Sequence, residues 1–316
     1  MLTDAYGRPL THLRASVTLR CNYRCVFCHG EGLGPGRGYE MGPHDYRVVA
    51  RAAVGLGIKY VKITGGEPLV RGDIVEVVGS FAGEGARVSM VTNGSLLARY
   101  AGALADAGLS RVNVSLHSLR EEVYRWVTGG GRLDDALAGL RAAADHGLGI
   151  KINFVVLRDN LEDFPSVLGL ASDLGAALNV IELIPLGMAR GEYERLHVPL
   201  DPILEYLESR CTRRYRRGFQ SRPVYVLDDG VRVEVVKGYG NPEMCAACTR
   251  LRLTPDGRLR VCLYRSDGVD LLPILRSEAD EESKVRALRG AIMEANTMRR
   301  PFFTGGGHGE DGRREP

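Results

Sequence analysis

The chain has 316 residues, of which 44% are hydrophobic and 26% are charged, a composition typical of globular proteins. A chain of this length can bury one large core or two moderate ones, and it has no apolar run of about 18 residues that would span a membrane. The net charge of +3 indicates no particular class of partner.

The N-terminal segment MLTDAYGRPLTHLR lacks the basic start and apolar centre of a secretory signal. We therefore expect a cytoplasmic protein, with no membrane partner, in which thiols stay reduced. In that compartment, clustered cysteines favour metal or redox chemistry over disulfides.

Six short segments rich in β-branched or aliphatic residues recur through the first two thirds of the chain. They are residues 13–19, 59–64, 87–92, 111–116, 150–157 and 178–184. Between them lie stretches with helical apolar spacing, several of which end in glycine, so the pattern predicts parallel βα units. Six units are too few for a closed eight-stranded barrel. We therefore predict an α/β fold with an open, partial (βα)6 TIM-like barrel over residues 1–204.

A second region with a different pattern follows, over residues 205–300. Two hairpins are predicted at residues 224–236 and 251–264, each turning at an Asp-Gly pair, and a charged helix at about 279–297. We expect a smaller C-terminal α+β region there, followed by a Gly-rich tail over residues 301–316.

Residues 210–222, RCTRRYRRGFQSR, form the densest basic run of the chain. Such a run could attract phosphate groups or nucleic acid, although a solvated surface is the simpler interpretation.

Cys21, Cys25 and Cys28 form a CxxxCxxC motif directly after the first predicted strand. Thiolates are the usual ligands of iron–sulfur clusters, and three of them hold three irons of a [4Fe–4S] cubane while the fourth iron stays open. A zinc site is the alternative, but it would need a fourth ligand such as His29.

This motif, with an aromatic residue before its third cysteine, resembles the radical S-adenosylmethionine (SAM) superfamily, in which the open iron binds SAM. The sequence TGGEP at 64–68 agrees with the resemblance. The resemblance implies SAM contacts at Phe27, Gly65, Gly66, Glu67, Ser115 and Ile184.

A second cysteine set comprises Cys245, Cys248 and Cys262. A zinc knuckle completed by Cys211 is one interpretation. A second cluster with one iron accessible to substrate is the other.

The strings SVTLRCNYRCVFCHGEG and CAACTRLRLTPDGRLRVCLY together resemble the GTP 3′,8-cyclase family, over about residues 10–306. This family begins molybdenum cofactor biosynthesis with two [4Fe–4S] clusters and SAM. A 5′-deoxyadenosyl radical removes the 3′ hydrogen of GTP, and the ribose radical closes onto C8 of guanine. The resemblance implies cluster ligands at Cys21, Cys25, Cys28, Cys245, Cys248 and Cys262.

The same resemblance implies the residues that act on GTP. The implied catalytic residues are Arg14, Arg250, Arg252, Gly305 and Gly306. The implied substrate-binding residues are Arg14, Lys62, Thr92, Lys151, Arg250 and Arg252. The implied partners are GTP, an electron donor of the ferredoxin or flavodoxin type and a downstream cyclic pyranopterin monophosphate synthase. A homodimer is a possible assembly, and no nucleic acid is expected.

Three residues depart from the family pattern. Leu19 stands where many members have Asp, His117 replaces an acidic residue, and Asn179 occupies a position that is basic in bacterial relatives.

Two other functions fit part of the sequence. A radical SAM enzyme that modifies a peptide would share the barrel and the first motif but would not need the Arg-x-Arg after Cys248. A zinc or iron–sulfur regulator that binds nucleic acid through 210–222 would need neither TGGEP nor six βα units.

Overall fold

The computed structural model describes residues 1–34 and 36–304. Twelve strands, β1 to β12, form one sheet in this part of the chain. In chain order they are His12–Ser16, Tyr60–Thr64, Arg87–Thr92, Leu109–Ser115, Gly149–Val156, Ala177–Glu182, Cys211–Arg216, Pro223–Leu227, Arg232–Val236, Arg250–Leu253, Arg258–Arg260 and Gly268–Asp270.

The α-helices, α1 to α11, connect or cover these strands. They are Pro43–Gly55, Ile74–Ala82, Leu97–Asp106, Glu121–Thr128, Leu133–Asp145, Phe164–Asp173, Tyr193–Leu196, Asp201–Ser209, Pro242–Ala246, Leu272–Leu275 and Glu281–Thr297. Within residues 1–34 and 36–304, no helix is both long and apolar enough to cross a lipid bilayer.

Strands β1 to β6 lie side by side in chain order and are all parallel. Each coincides with one of the six predicted strands to within a few residues, and helices pack on the outer face of the sheet through a continuous buried apolar core. The prediction of a partial βα barrel is confirmed. The barrel can be predicted from local patterns, because two consecutive parallel strands must be joined by a crossover connection and these connections are helical here.

Both predicted hairpins form, and they extend the sheet at opposite edges. The first hairpin, β8–β9, turns at Gly230, and β9 lies parallel to β6. The second, β10–β11, turns at Gly257, and β10 lies parallel to β1. The C-terminal region therefore adds one parallel strand to each edge of the barrel. The boundary at residue 204 stays a prediction, because strands from both sides of it share one sheet.

The register of the parallel strands decides which side chains meet inside the barrel. Arg252 on β10 is level with Arg14 on β1, which is level with Lys62 on β2. On β10 the burial alternates along the strand, with Arg250 and Arg252 on one face and Leu251 and Leu253 in the core. The shared face of the two arginines, expected from the period of two in a strand, is turned inward.

Candidate active site

A cavity of about 740 Å³ lies inside the barrel. Every predicted site residue within the described ranges lines it. These are Arg14, Cys21, Cys25, Phe27, Cys28, Lys62, Gly65, Gly66, Glu67, Thr92, Ser115, Lys151, Ile184, Cys245, Cys248, Arg250, Arg252 and Cys262. Gly305 and Gly306 lie outside the described residues. Side chains separated by up to 248 positions in sequence, from Arg14 to Cys262, thus face a single volume.

The first cysteine triplet lies on the loop between β1 and α1, at the carboxyl end of the parallel strands. Burial raises the pKa of the Cys25 and Cys21 thiols. Thiolates there therefore need a strongly positive partner, as iron supplies. In the part of the chain that the structure describes, no three His, Cys, Asp or Glu side chains are close enough to hold one metal ion. The donor set, three thiols open to one cavity, fits a cluster rather than a single zinc ion.

His29, the candidate fourth ligand of a zinc site, has another role in the structure. Its Nδ1 accepts a hydrogen bond from the backbone N–H of Glu31 at 3.0 Å and so shapes the turn after Cys28. Cys211, the other candidate fourth ligand, begins β7 at the outer edge of the sheet and is not among the residues that line the cavity.

Gly65 and Gly66 lie directly against the chain that leads into the first triplet. A Cβ on Gly65 would come within 2.5 Å of the Thr18 carbonyl oxygen, and one on Gly66 within 2.1 Å of the Arg20 carbonyl oxygen. The amides of Gly66 and Glu67 donate to those same two oxygens. The glycines are therefore required here by close packing of two loops, independently of any ligand.

Glu67 is a buried carboxyl group beside the first triplet. It accepts hydrogen bonds from the Leu69 and Asn93 amides at 3.0 and 2.7 Å and from the Thr92 hydroxyl at 2.8 Å. Burial outweighs these donors and raises its pKa to about 7. An ammonium group that entered the cavity would favour the ionised form and lower that pKa. Thr92, predicted to contact GTP, is thus a partner of Glu67 in this structure.

The second triplet lies at the other end of the cavity. Cys248 precedes β10 and Cys262 follows β11. Because β10 and β11 are antiparallel, both cysteines lie at the amino end of β10. This is also the amino end of β1, which runs parallel to β10. Two buried arginines, which sequence reasoning missed, fix this loop: Arg8 donates to the Cys245 carbonyl at 2.9 Å and Arg299 to the Cys248 carbonyl at 2.6 Å. The two triplets therefore face the cavity from opposite ends of the barrel.

The described end of the chain also reaches the second triplet. The Phe303 amide donates to the Cys245 sulfur at 3.5 Å, and Phe302 stacks on Tyr264 with ring centroids 5.0 Å apart. Residues 302 and 303 are thus held beside the second triplet.

Glu31, in the HGEG sequence after the first triplet, holds two of the predicted catalytic arginines. It is 6% exposed and pairs with Arg14, whose Nε donates at 2.8 Å, and with Arg252, whose Nη1 donates at 2.6 Å. The Thr64 hydroxyl also donates to it at 3.1 Å. Burial favours the neutral form, but the arginines prevail and hold the pKa of Glu31 well below its usual range. The loop of the first triplet is thus tied to β10, the strand that begins just after Cys248 of the second triplet.

The backbone at Glu31 is unusual. It has φ 55° and ψ 18°, a left-handed conformation that non-glycine residues rarely adopt. The turn is kept because the Arg260 guanidinium donates to the Gly32 carbonyl at 2.7 Å and the ion pairs hold the side chain. The signal available in the sequence was an acidic residue between two glycines, which by itself predicts only a turn.

A second buried carboxylate, Glu234 on β9, gathers three cations. Lys151 donates to it at 2.7 Å, and Arg217 and Arg222 each donate at 2.9 Å. These cations keep the pKa of Glu234 far below its usual range despite burial. Both arginines belong to the basic run 210–222, so its last part faces the cavity rather than a solvated surface.

Two of the residues that depart from the family pattern carry buried polar atoms without a protein partner in the described ranges. His117 Nδ1 accepts from the Val155 amide at 3.1 Å, which leaves Nε2 unpaired, and burial lowers the His117 pKa to about 3. Asn179 donates to Asn153 at 2.7 Å, and its Oδ1 is unpaired. Both residues line the cavity, and in each the unpaired atom is buried, which is uncommon for a polar group.

The charge of the cavity differs sharply from that of the whole chain. Twelve Lys and Arg residues line it against four Glu and no Asp, whereas the chain as a whole carries only +3. Such a concentration of positive charge in a confined space attracts polyanions. A partial βα barrel with a thiol triplet at the carboxyl end of its first strand defines a protein of the radical SAM class.

Comparison with known families agrees with that class. The chain matches the family model described as the Radical SAM superfamily over residues 15–171 and the model described as Molybdenum Cofactor Synthesis C over residues 176–303. A protein of Saccharolobus islandicus (strain M.14.25 / Kamchatka #1) named "Probable GTP 3′,8-cyclase" is 43% identical over 306 residues, which cover 96% of this chain and 99% of that protein. A protein of Metallosphaera sedula with the same name is 40% identical over 96% of both chains. The chain therefore belongs to the radical SAM superfamily and, within it, to the family of these probable GTP 3′,8-cyclases.

Solved structures share the fold at low identity. Streptococcus suis SuiB, bound to its precursor peptide SuiA, superposes with a TM-score of 0.61 at 15% identity, over 90% of this chain and 67% of that longer one. Methylornithine synthase superposes with a TM-score of 0.53 at 16% identity, over 92% of this chain and 84% of that one. These similarities support the architecture alone.

Proposed function

We propose that this chain is a GTP 3′,8-cyclase, which converts GTP to (8S)-3′,8-cyclo-7,8-dihydroguanosine 5′-triphosphate in the first step of molybdenum cofactor biosynthesis. The observation that carries the proposal is one cavity that has a thiol triplet at each end and twelve Lys and Arg residues on its wall. Relatives 40–43% identical over nearly the whole chain carry that name.

The enzyme uses two [4Fe–4S] clusters and SAM. In our proposal Cys21, Cys25 and Cys28 hold one cluster, and the second triplet described above holds the other. When bound, the first cluster and SAM supply the 5′-deoxyadenosyl radical that removes the 3′ hydrogen of GTP.

The protein's own contribution on the SAM side is to bind and orient. Glu67, buried and with its pKa raised to about 7, would accept from the SAM ammonium. Phe27, Ser115 and Ile184 line the same cavity and would enclose the remainder of SAM, with the backbone of Gly65 and Gly66 against the triplet loop.

On the GTP side, Arg14, Arg250 and Arg252 would position the sugar and phosphates beside the second cluster. Arg14 and Arg252 are pre-oriented by Glu31, which leaves other guanidinium N–H groups to donate. Arg250 lines the cavity, and its guanidinium lies 5.3 Å from the centre of the Phe219 ring. Lys62 and Lys151 add ammonium donors from β2 and β5.

The deciding experiment is anaerobic reconstitution with iron and sulfide, reduction, and product analysis with SAM and a panel of nucleotides and peptides. We expect the cyclised GTP product only from GTP. Modification of a peptide, with no product from GTP, would favour the peptide-modifying alternative.

Arginine variants test the assignment of residues in the same assay. Arg14→Ala, Arg250→Ala and Arg252→Ala should each lower product formation by about tenfold to a hundredfold, because each removes a charge-assisted contact. Iron content and slow SAM cleavage without GTP should be unchanged. Wild-type product formation by all three variants would exclude their role.

The family implies further partners, which we retain as part of the proposal. They are an electron donor of the ferredoxin or flavodoxin type and a downstream cyclic pyranopterin monophosphate synthase, in the cytoplasm. A homodimer is a possible assembly, and a role for Gly305 and Gly306 concerns residues outside those described.

A further inference from the structure

The loop 217–222 lies between β7 and β8 and ends the basic run of the sequence. The loop closes on itself, since the Arg217 amide donates to the Arg222 carbonyl at 3.1 Å. It is also tied to the segment of the second triplet, because the Gln220 amide donates to the Ala247 carbonyl at 2.8 Å. Arg217, Arg222 and Phe219 all line the cavity.

Phe219 fixes the loop by aromatic stacking. Its ring stacks on His12 with centroids 4.4 Å apart, and His12 stacks on Tyr60 at 4.7 Å. The guanidinium groups of Arg217 and Arg222 each lie 5.5 Å from the centre of the Phe219 ring. Because His12 and Tyr60 are the first residues of β1 and β2, the loop lies at the amino end of the barrel.

The backbone of the loop is held in a conformation that it would not adopt freely. Gln220 and Ser221 have φ values of 59° and 47°, in the left-handed region that favours glycine. Strain of this kind persists where surrounding contacts demand it, and it is concentrated at functional sites.

The cations of this loop keep donors that protein groups do not use. Arg222 donates to Glu234 and to Gln220, while its buried Nε has no partner within the described ranges. Arg217 reaches Glu234 through Nη1. One carboxylate therefore faces Lys151 and two arginines, and its single negative charge cannot neutralise three positive ones.

The neighbouring strands add to this excess of charge. Lys62 is buried, and its ammonium donates to the Asn113 amide oxygen at 3.0 Å. Burial and nearby cations lower its pKa well below the usual range. An anion with several charges in the cavity would favour the charged form of the Lys62 ammonium.

We infer that Arg217 and Arg222 of the loop 217–222 hold the terminal phosphates of the nucleotide, beside Lys62 and Lys151, which the family resemblance already assigns to GTP. This inference rests on the proposed function and adds to it the groups that select a triphosphate over a monophosphate. Guanidinium groups suit that task, since each can donate two hydrogen bonds to one phosphate. Glu234 acts as the positioning residue that holds the cations in place before the nucleotide arrives.

The test is the affinity of the cluster-loaded protein for GTP, GDP and GMP, measured by anaerobic calorimetry on wild type, Arg217→Ala and Arg222→Lys. We expect Arg217→Ala to weaken GTP binding by about tenfold to a hundredfold and GMP binding by less than about threefold. Arg222→Lys, which keeps the charge but loses the planar fork, should weaken GTP binding by a smaller factor. The ratio of GTP to GMP affinity should therefore fall in both variants.

Arg213→Ala is the matched control. Arg213 lies in the same basic run, on the exposed side of β7, and contacts the Tyr215 ring rather than the cavity. This variant should keep the wild-type affinity for all three nucleotides.

This role of Arg217 and Arg222 is excluded if Arg217→Ala and Arg222→Lys keep the wild-type ratio of GTP to GMP affinity, or if wild type itself binds both nucleotides equally. The proposed function is tested separately, because formation of the cyclised product from GTP by wild type does not depend on that ratio.

Discussion

Replacing Glu31 with Gln tests how the two ends of the cavity are connected. The substitution keeps the shape of the side chain and removes its negative charge. Arg14 and Arg252, which are 15% and 11% exposed, then lose their shared carboxylate.

The expected cost follows from the burial of these pairs. Breaking a buried ion pair by neutralising one partner destabilises a protein by about 3–5 kcal/mol, since a charge is left without compensation. The low pKa of Glu31 fixes the sign with pH. The stabilisation is complete above the ordinary glutamate pKa of 4.5 and is lost as the pH falls through the lower folded value. The difference between wild type and Glu31→Gln should therefore be constant near neutral pH and shrink in acid.

The assay combines thermal unfolding with steady-state kinetics. We expect a melting temperature lower by about 5–15 °C and a kcat for GTP lower by at least about tenfold. The KM for GTP should not rise in proportion, because Arg14 and Arg252 keep their charge and gain free donors. This division between kcat and KM separates a positioning role from a general loss of folded protein.

Glu208→Gln is the control for Glu31→Gln, since Glu208 pairs with Arg214 at 2.7 Å on an exposed surface. Exposed pairs contribute about 0–1 kcal/mol, so this variant should resemble wild type. Glu31→Gln with wild-type melting and kinetics would refute the positioning role.

Two further predictions concern the cofactors. Since burial raises the pKa of Glu67 to about 7, the affinity of the wild type for SAM should fall as the pH drops through that value, as measured by anaerobic equilibrium dialysis. The Glu67→Gln variant should bind SAM more weakly and should lose this pH dependence. Identical pH profiles for the two proteins would contradict the assignment. Replacing Cys21, Cys25 and Cys28 together by Ala should leave about half of the roughly eight irons per chain found after reconstitution, whereas an unchanged iron content or a zinc-loaded wild type would exclude two independent clusters.

Much of the fold follows from local patterns in the sequence. The six strands of the barrel, the two Asp-Gly hairpins and the helix at Glu281–Thr297 form where alternation, turn residues and helical spacing predict them. The two thiol triplets are also recognisable from local sequence, because the first two cysteines of each triplet are only a few residues apart. Arg250 and Arg252 share a face by the period of two in a strand.

The contacts between distant segments were decided by the tertiary structure alone. Glu31 meets Arg14 and Arg252 because β10 pairs with β1 in a register that sets the two arginines side by side, and no local pattern encodes that pairing. Likewise, the inward direction of Arg217 and Arg222 depends on Glu234, which lies on another strand.

The sequence by itself determined the βα units, the hairpins and the types of side chain available for chemistry. The tertiary structure decided that the hairpins lie at opposite edges of one sheet and that the two thiol triplets lie at opposite ends of one cavity. The physical reason is that strand and turn preferences act over a few residues. Strand order and register depend instead on burying the apolar faces of all the elements together, and on giving each buried charge a partner.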